Sequence, residues 1–158
     1  MPQTGDMAPD FELPALIAGV KKRFRLSEHI GQQNVVLAFY PFNWEMVSAE
    51  QMVGLQVERE RFIASGTETV GICVDSIMNT TSWEREIGPF DFPLCSDFWP
   101  HGEVSRRYGV LGDAGAARRA MFIVGKGGRI EFDRVYPASD FPIAADILDL
   151  LTKLKPAA

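Results

Sequence analysis

The sequence predicts an α/β fold in which helices flank a mixed central sheet. Two continuous apolar segments, "VVLAFY" (35–40) and "TVGICVDS" (69–76), have the composition of strands that are buried on both faces. Each is followed by a segment with helical spacing, which is the order of a parallel βαβ unit. A later pair of strands joined by "GKGG" predicts an antiparallel hairpin, so we expect parallel and antiparallel pairs in one sheet.

The predicted order of elements is βαβαβ, then the hairpin, then a closing helix. An irregular, proline-punctuated start precedes a short exposed strand, "VKKRFRL", and a turn, "LSEHIGQQ". The first buried strand leads into a helix from Met46 to about Ala64, and the second into a helix over "SIMNTTSWEREIG", with Ser76 or Asn79 as its cap. The remaining elements are a short strand, "FPLCSD", a short helix, "HGEVSRRYGV", the hairpin, "RRAMFIVGKGGRIEFDRV", and the final helix, "FPIAADILDLLTKL".

Length and composition limit the class of protein. The 158 residues are enough for one core, so we expect a single domain over 1–158. The net charge of -5 is unlike that of a nucleic-acid-binding protein, and no apolar run approaches the ~20 residues of a membrane span. Two cysteines and two histidines, none of them clustered, predict no metal site, and no motif predicts a cofactor. The first residues lack the pattern of a secretory signal, so the expected compartment is the cytoplasm.

Five segments carry a resemblance to a known family. They are "GDMAPDFELP", "VVLAFYPF", "VGICVDS", "FPLCSDFWPHGEVSRRYGV" and "RRAMFIVGKGGRI", in this order and over more than a hundred residues. The chain resembles the peroxiredoxins of the AhpC/TSA family, particularly the small one-cysteine alkyl hydroperoxide reductase E type. The resemblance implies a thioredoxin-like fold and, for the family, thiol-dependent reduction of hydroperoxides.

The resemblance also implies a site. In the family a proline and a threonine precede the peroxidatic cysteine in the first turn of the helix after the central strand, and a distant arginine completes the site. Pro41 matches the proline and Arg119 the arginine. Ser48 stands at the position of the cysteine, and Glu45 at that of the threonine. The surroundings of the site are therefore expected to be kept while its nucleophile is replaced.

These replacements predict a protein that has lost cysteine-peroxidase activity and acts as a binding or regulatory module. Serine cannot form a sulfenic acid, and its simplest role is to satisfy a backbone group in the first turn. We expect Glu45 to form an ion pair with Arg119 that occupies the position of the peroxide. The alternative is a Glu45 side chain that points to solvent. An engineered serine would leave the glutamate unexplained.

Two other activities stay open as alternatives. A thiol peroxidase would use Cys95 or Cys73, and Cys95 is preferred because the ends of parallel strands face the functional crevice. Both cysteines lie on predicted interior strands, where they are more typical of small apolar residues, and a disulfide between adjacent parallel strands is not favoured. A hydrolase that uses Ser48 would need a histidine base and an oxyanion hole, and no motif supplies them.

Three aromatic residues near the predicted site have two interpretations. Phe42, Trp44 and Trp99 follow the ends of two predicted strands. The resemblance implies that related proteins pair through this surface, so we expect a homodimer with these residues in its interface. The alternative is that they are scattered exposed aromatics. Another protein or a thiol reductant is a further possible partner.

Overall fold

The computed structural model describes residues 1–154, which form a seven-stranded sheet with packed helices. No helix in this part of the chain is long and apolar enough to cross a membrane. The strands are β1 (Glu12–Ile17), β2 (Val20–Arg25), β3 (Asn34–Phe39), β4 (Thr67–Cys73), β5 (Leu94–Ser96), β6 (Ala120–Val124) and β7 (Ile130–Val135). The helices are α1 (Met46–Val57), α2 (Arg59–Ala64), α3 (Ile77–Ile87), α4 (Glu103–Arg107) and α5 (Ala144–Thr152), with a 3-10 turn at Leu26–Glu28.

The sheet is mixed, as the sequence predicts. Its strands lie in the order β2-β1-β5-β4-β3-β6-β7. Strands β3, β4 and β5 run parallel, whereas β1 pairs antiparallel with β2 and β5, and β6 pairs antiparallel with β3 and β7. Because the carboxyl ends of parallel strands meet at one edge of a sheet, the loops that follow β3, β4 and β5 are neighbours.

Strand β3 is buried on both faces. Its alternating side chains place Leu37 and Phe39 in a cluster with α4, and Ala38 and the following Tyr40 in a second cluster with α1, α3 and α5. A shift of β3 would open both clusters at once. The carboxyl end of this strand is therefore a firmly held support for the residues that follow it.

The start of the chain differs from the prediction, because residues Glu12–Ile17 form a strand, β1, and not an irregular segment. Pro14 lies opposite Arg23 of β2. A proline cannot donate to a ladder, but the pairing of β1 with β5 begins only at Ala15, so no second ladder is interrupted at Pro14.

The predicted helix from Met46 to Ala64 is two helices, α1 and α2. The chain leaves helical geometry at Glu58, whose φ and ψ are -97° and 12°. Val57 before the break is exposed and Phe62 after it is buried, so the apolar spacing does not describe one continuous face. Of the two predicted caps of α3, Ser76 is confirmed, since its side chain accepts a hydrogen bond from the backbone of Asn79.

Candidate functional site

Helix α1 begins at the carboxyl edge of the sheet, after the six residues that follow β3, and the last of these, Glu45, is its N-cap. The backbone of Glu45 is extended, and its carboxylate accepts hydrogen bonds from the backbone N–H groups of Val47 (3.1 Å) and Ser48 (2.7 Å). These N–H groups have no partner within the helix. The carboxylate therefore satisfies them and also lies at the positive end of the helix dipole.

Arg119 lies beside the start of α1, at the beginning of β6, which is a neighbour of β3 in the sheet. It immediately precedes Ala120, the first residue of β6, which is paired with Phe39 at the end of β3. The Arg119 side chain is 1% exposed, and its guanidinium donates to Oε2 of Glu45 at 3.0 Å and to Oε1 of Gln51 at 2.9 Å. The predicted ion pair between Glu45 and Arg119 is confirmed.

Ser48 lies between the two charged groups and is completely buried. Its hydroxyl donates to Oε2 of Glu45 at 2.6 Å and accepts from Nη1 of Arg119 at 3.1 Å. The prediction that the Ser48 side chain satisfies a backbone group is wrong. Glu45 already takes the N–H groups of the first turn, so the serine hydroxyl pairs with two side chains.

Every nitrogen of the Arg119 guanidinium has a partner within the chain. Nη1 donates to Ser48 and Gln51, and Nη2 donates to Glu45 and to the carbonyl oxygen of Ala138 at 3.2 Å. Nε donates to the same carbonyl at 3.4 Å. An arginine with this set of partners has no nitrogen that is free to bind an outside ligand.

The charge of Glu45 is stabilised by its neighbours. Partial burial alone would raise the pKa of Glu45, but hydrogen bonds from the Ser48 side chain and backbone, and then from Arg119, outweigh it and lower the pKa below its ordinary value of 4.5. The side chain is therefore an anion at neutral pH. A carboxylate with a lowered pKa is also a weak proton acceptor.

The sequence analysis did not predict two of the partners of Arg119. Gln51 follows Ser48 by three residues, so helical spacing places both on one face of α1 and was an available signal. The carbonyl of Ala138 belongs to the segment between β7 and α5, and a backbone group leaves no signal in the sequence. Pro41 is half-buried where β3 ends, and no hydrogen bond joins it to the cluster around Arg119 within residues 1–154.

The loop ahead of α1 is fixed by Asn43, another residue that the sequence did not reveal. Its backbone N–H donates to Asp75 at 2.7 Å, and its side-chain amide donates to Thr80 at 2.9 Å and to Asn79 at 3.1 Å. The Asn43 amide oxygen accepts from the Tyr40 hydroxyl at 2.8 Å. Asn43 thus ties the loop after β3 to the loop after β4 and to α3.

Large apolar side chains are exposed around this loop. Trp44 has a φ of 67°, which is strained for a residue other than glycine, and its indole nitrogen donates to Asn79 at 3.1 Å. Phe42 and Trp99 are exposed too, as both interpretations of the sequence require. They and several exposed neighbours lie in the segments that follow β3, β4 and β5, at the carboxyl edge of these strands. We call this group of exposed residues the aromatic face, and it consists of Phe42, Trp44, Met46, Met78, Phe98 and Trp99.

Both cysteines are free, fully buried thiols, and they lie on opposite faces of the sheet. Cys95 packs in the cluster of Phe39 and Cys73 in that of Tyr40. Burial raises the pKa of Cys73 to about 12 and that of Cys95 well above its ordinary value. The preference for Cys95 as the thiol nearer the crevice is wrong, because it faces away from α1 while the Cys73 sulfur lies 3.6 Å from Asn43 Oδ1.

Comparison with known sequences identifies relatives over most of the chain. Residues 4–133 match the model of the AhpC/TSA family. Peroxiredoxin-2 of Mus musculus is 32% identical over 156 residues, which cover 94% of this chain and 76% of that protein. A chloroplastic 2-Cys peroxiredoxin of Spinacia oleracea is 31% identical over 142 residues, covering 85% of this chain. The match covers 53% of the spinach protein, so the chain spans about half the length of that relative.

Solved structures share the fold. The mitochondrial 2-Cys peroxiredoxin of Plasmodium falciparum has a TM-score of 0.88 at 27% identity, covering 94% of this chain and 92% of that one. The reduced 2-Cys peroxiredoxin of Plasmodium vivax, at 24% identity, has a TM-score of 0.91 and covers 96% of this chain and 81% of that one.

The mixed sheet, with a helix that starts beside a buried arginine, defines a thioredoxin-like fold of the peroxiredoxin class. The chain belongs to the AhpC/TSA family of peroxiredoxins. Its assignment to the one-cysteine type stays a prediction, since three of the relatives just described are named as 2-Cys proteins.

Proposed function

We propose that this chain is a peroxiredoxin-family protein without cysteine-peroxidase activity, which acts as a binding or regulatory module. The observation that carries the proposal is the complete pairing of the Arg119 guanidinium inside the chain. Glu45 and Ser48, two of its partners, stand where the resemblance places the threonine and the peroxidatic cysteine. The groups that would receive a peroxide are thus occupied by the chain's own carboxylate.

The different chemistry of sulfur and oxygen supports the same conclusion. A peroxidatic thiolate takes an oxygen atom from the peroxide and becomes a sulfenic acid, which a thiol then reduces. The hydroxyl of Ser48 has no comparable cycle, and it donates its proton to Glu45 at 2.6 Å. Arg119 would also have to release Glu45 before it could donate to a peroxide.

A thiol peroxidase that uses Cys95 or Cys73 is the alternative, and burial weighs against it. Both thiols are inaccessible and have a raised pKa, so the reactive thiolate is a negligible fraction at neutral pH. A thiol reductant would find no exposed sulfur to reduce. Free buried thiols are compatible with the reducing cytoplasm, where we place the protein.

Hydrolysis by Ser48 has less support. His29 is hydrogen-bonded to Gln33, and His101 to the carbonyl oxygen of Gly115, so neither histidine is placed to act as a base for Ser48. The only carboxylate bonded to the Ser48 hydroxyl within residues 1–154 is Glu45, whose lowered pKa makes it a weak base.

A peroxide-consumption assay with a thiol reductant tests the proposal. We expect no turnover by the wild-type chain and recovered turnover in Ser48→Cys combined with Glu45→Thr, which restores the residues that the resemblance implies. Cys73→Ala and Cys95→Ala are the matched controls. Turnover by the wild type that either control abolishes would replace the proposal with the thiol-peroxidase alternative.

We also propose that the chain pairs with a second copy through the aromatic face. Contiguous exposed apolar surface is rare on monomers and marks interaction sites. The resemblance to the peroxiredoxins supports the same pairing, because it implies that related proteins pair through this surface. Sedimentation velocity should show a dimer that Trp99→Glu dissociates. Val57→Glu, at an exposed apolar residue outside the aromatic face, should leave the dimer intact.

A further inference from the structure

We propose that strand β2 binds an extended segment of a partner protein in which acidic and apolar residues alternate. The segment adds one further strand to the sheet, beside β2. Strand β2 is the end strand of the sheet, and the strand that follows Arg119, β6, lies on the far side of β3. The inference therefore concerns a surface away from the Arg119 cluster, and it does not depend on the function proposed above.

The outer side of β2 is an open edge of the sheet. Its neighbour on the inner side is β1, with which it pairs antiparallel. In such a pair alternate residues direct their N–H and C=O groups away from the neighbouring strand. In the part of the chain that the structure describes, no segment other than β1 forms a hydrogen bond to the backbone of β2. The outward groups of β2 are therefore available to another strand.

The opposite edge of the sheet, β7, is partly covered by the start of the chain. The backbone of Ile130 accepts a hydrogen bond from Gly5 and donates one to Asp6, both at 2.8 Å. The Asp133 side chain accepts from the backbone and the hydroxyl of Thr4. Strand β2 has no such cover, contains no proline and keeps an unbroken register with β1. It is therefore the edge better suited to receive another strand.

Strand β2 is strongly cationic in a chain whose net charge is -5. Its six residues include four of the 16 lysines and arginines, and all four are exposed: Lys21, Lys22, Arg23 and Arg25. Glu12 of β1 pairs with Arg23 at 3.5 Å and with Arg25 at 3.3 Å. Residues 1–154 supply no further ion pair to β2, so one carboxylate is shared and the strand keeps an excess of positive charge.

The positions of these cations specify the pattern of the partner. Phe24 is 2% exposed and packs in the core, so the alternation of a strand places Lys21, Arg23 and Arg25 together on the opposite face. Acidic side chains of an added strand would lie beside these three cations. On the other face the added strand would extend the apolar surface of Phe24 and of Val20, which is 53% exposed. A segment with alternating acidic and apolar residues meets both requirements.

The same cations disfavour a second copy of this chain at β2. Two β2 strands side by side would bring lysine and arginine against lysine and arginine, and like charges on adjacent strands are destabilising. Lysine on an edge strand is a known protection against such pairing. An acidic segment gains from the same charges, while main-chain hydrogen bonds supply affinity that does not depend on its sequence.

Fluorescence anisotropy with synthetic peptides and the full chain tests the inference. The probe is a labelled peptide of alternating glutamate and valine with blocked ends. We expect it to bind at least about tenfold more tightly than a peptide of the same composition in which the glutamates are consecutive. Methylation of all its backbone nitrogens should abolish binding. Equal binding of the three peptides would reveal a purely electrostatic contact and overturn the inference.

Reversing charges on β2 should reverse its preference. Lys21→Glu with Arg23→Glu should weaken binding of the alternating peptide by at least about tenfold, and should confer binding of a peptide with lysine in place of glutamate. Binding of the lysine peptide also shows that the variant is folded. The matched control, Lys126→Glu with Lys153→Glu, reverses two exposed cations beside β7 and α5 and should bind as the wild type does. Equal loss in both variants would contradict the inference.

Amide hydrogen exchange followed by NMR locates the bound peptide. The alternating peptide should slow exchange in β2 and leave β7 unchanged, whereas slowing in β7 alone overturns the inference. Without peptide, Lys21→Glu with Arg23→Glu should sediment as the wild type does. A difference would show that β2 pairs with another copy of the chain, and would also overturn it. Peroxide consumption plays no part in these measurements, so the inference and the proposed function can fail separately.

Discussion

Oε2 of Glu45 lies 3.0 Å from Nη2 of Arg119, across 74 residues of sequence. The two partners differ in their exposure, because the carboxylate side chain is 34% exposed and the guanidinium side chain 1%. Solvent can screen the charge of Glu45 but not that of Arg119. Loss of the glutamate therefore leaves a buried cation with one of its partners missing, and this asymmetry governs the response to mutation.

We expect Glu45→Ala to lower the free energy of unfolding by about 1 to 3 kcal/mol, because it removes the N-cap and one partner of Arg119. Glu50→Ala, at an exposed glutamate of the same helix, is the matched control and should change stability by less than about 0.5 kcal/mol. Urea unfolding measures both. Acetate should then raise the melting temperature of Glu45→Ala, since it can occupy the vacated position, and an equal effect on the wild type would contradict this.

The lowered pKa of Glu45 makes its contribution to stability depend on pH. The contribution is complete above the unfolded value of about 4.5 and is lost as the pH falls through the lower folded pKa. The wild type should therefore exceed Glu45→Gln in stability by a constant amount near neutral pH, and this difference should shrink below about pH 4.5. Urea titrations at a series of pH values provide the measurement. A difference that grows toward acid pH would show that the ion pair does not stabilise the fold.

Neither cysteine should react with a thiol reagent while the chain is folded. Both are completely buried, and burial raises the pKa of Cys73 to about 12. Ellman's reagent at neutral pH should report no thiol in the native chain and both thiols after unfolding. Glu50→Cys, which places a thiol on the exposed side of α1, should label at once and serves as the positive control. Rapid labelling of native Cys73 or Cys95 would revive the thiol-peroxidase alternative.

Asn43→Ala should destabilise the chain by about 2 to 3 kcal/mol, because it leaves several buried polar groups without their partner. Tyr40→Phe removes only the hydroxyl that bonds to Asn43 and should cost about 1 kcal/mol. Thermal unfolding followed by tryptophan fluorescence compares the two variants. If Tyr40→Phe proves the more damaging of the pair, the central role of Asn43 in the loop is refuted.

The sequence predicted most of the elements whose residues carry a strong local signal. Strands β3 and β4 are continuous apolar runs, and their burial on both faces leaves few alternatives. The ion pair between Glu45 and Arg119 was also predictable, because the family's site places both positions around the start of one helix.

The remaining features depend on tertiary contacts that no local pattern encodes. Strand β1 was missed because Pro14 indicates a break, and only the pairing with β2 and β5 shows how the strand accommodates it. The partners of Asn43 lie in the loop after β3, in the loop after β4 and in α3, so its role emerges only when these segments are brought together.

The sheet separates Cys73 from Cys95, one sulfur on each side of it, although the two residues belong to neighbouring strands. An intrachain bridge between them would require β4 and β5 to come apart. An intrachain disulfide between Cys73 and Cys95 can therefore form only in molecules that have lost the pairing of β4 with β5. In a cell under oxidative stress, such a disulfide would selectively mark the unfolded copies.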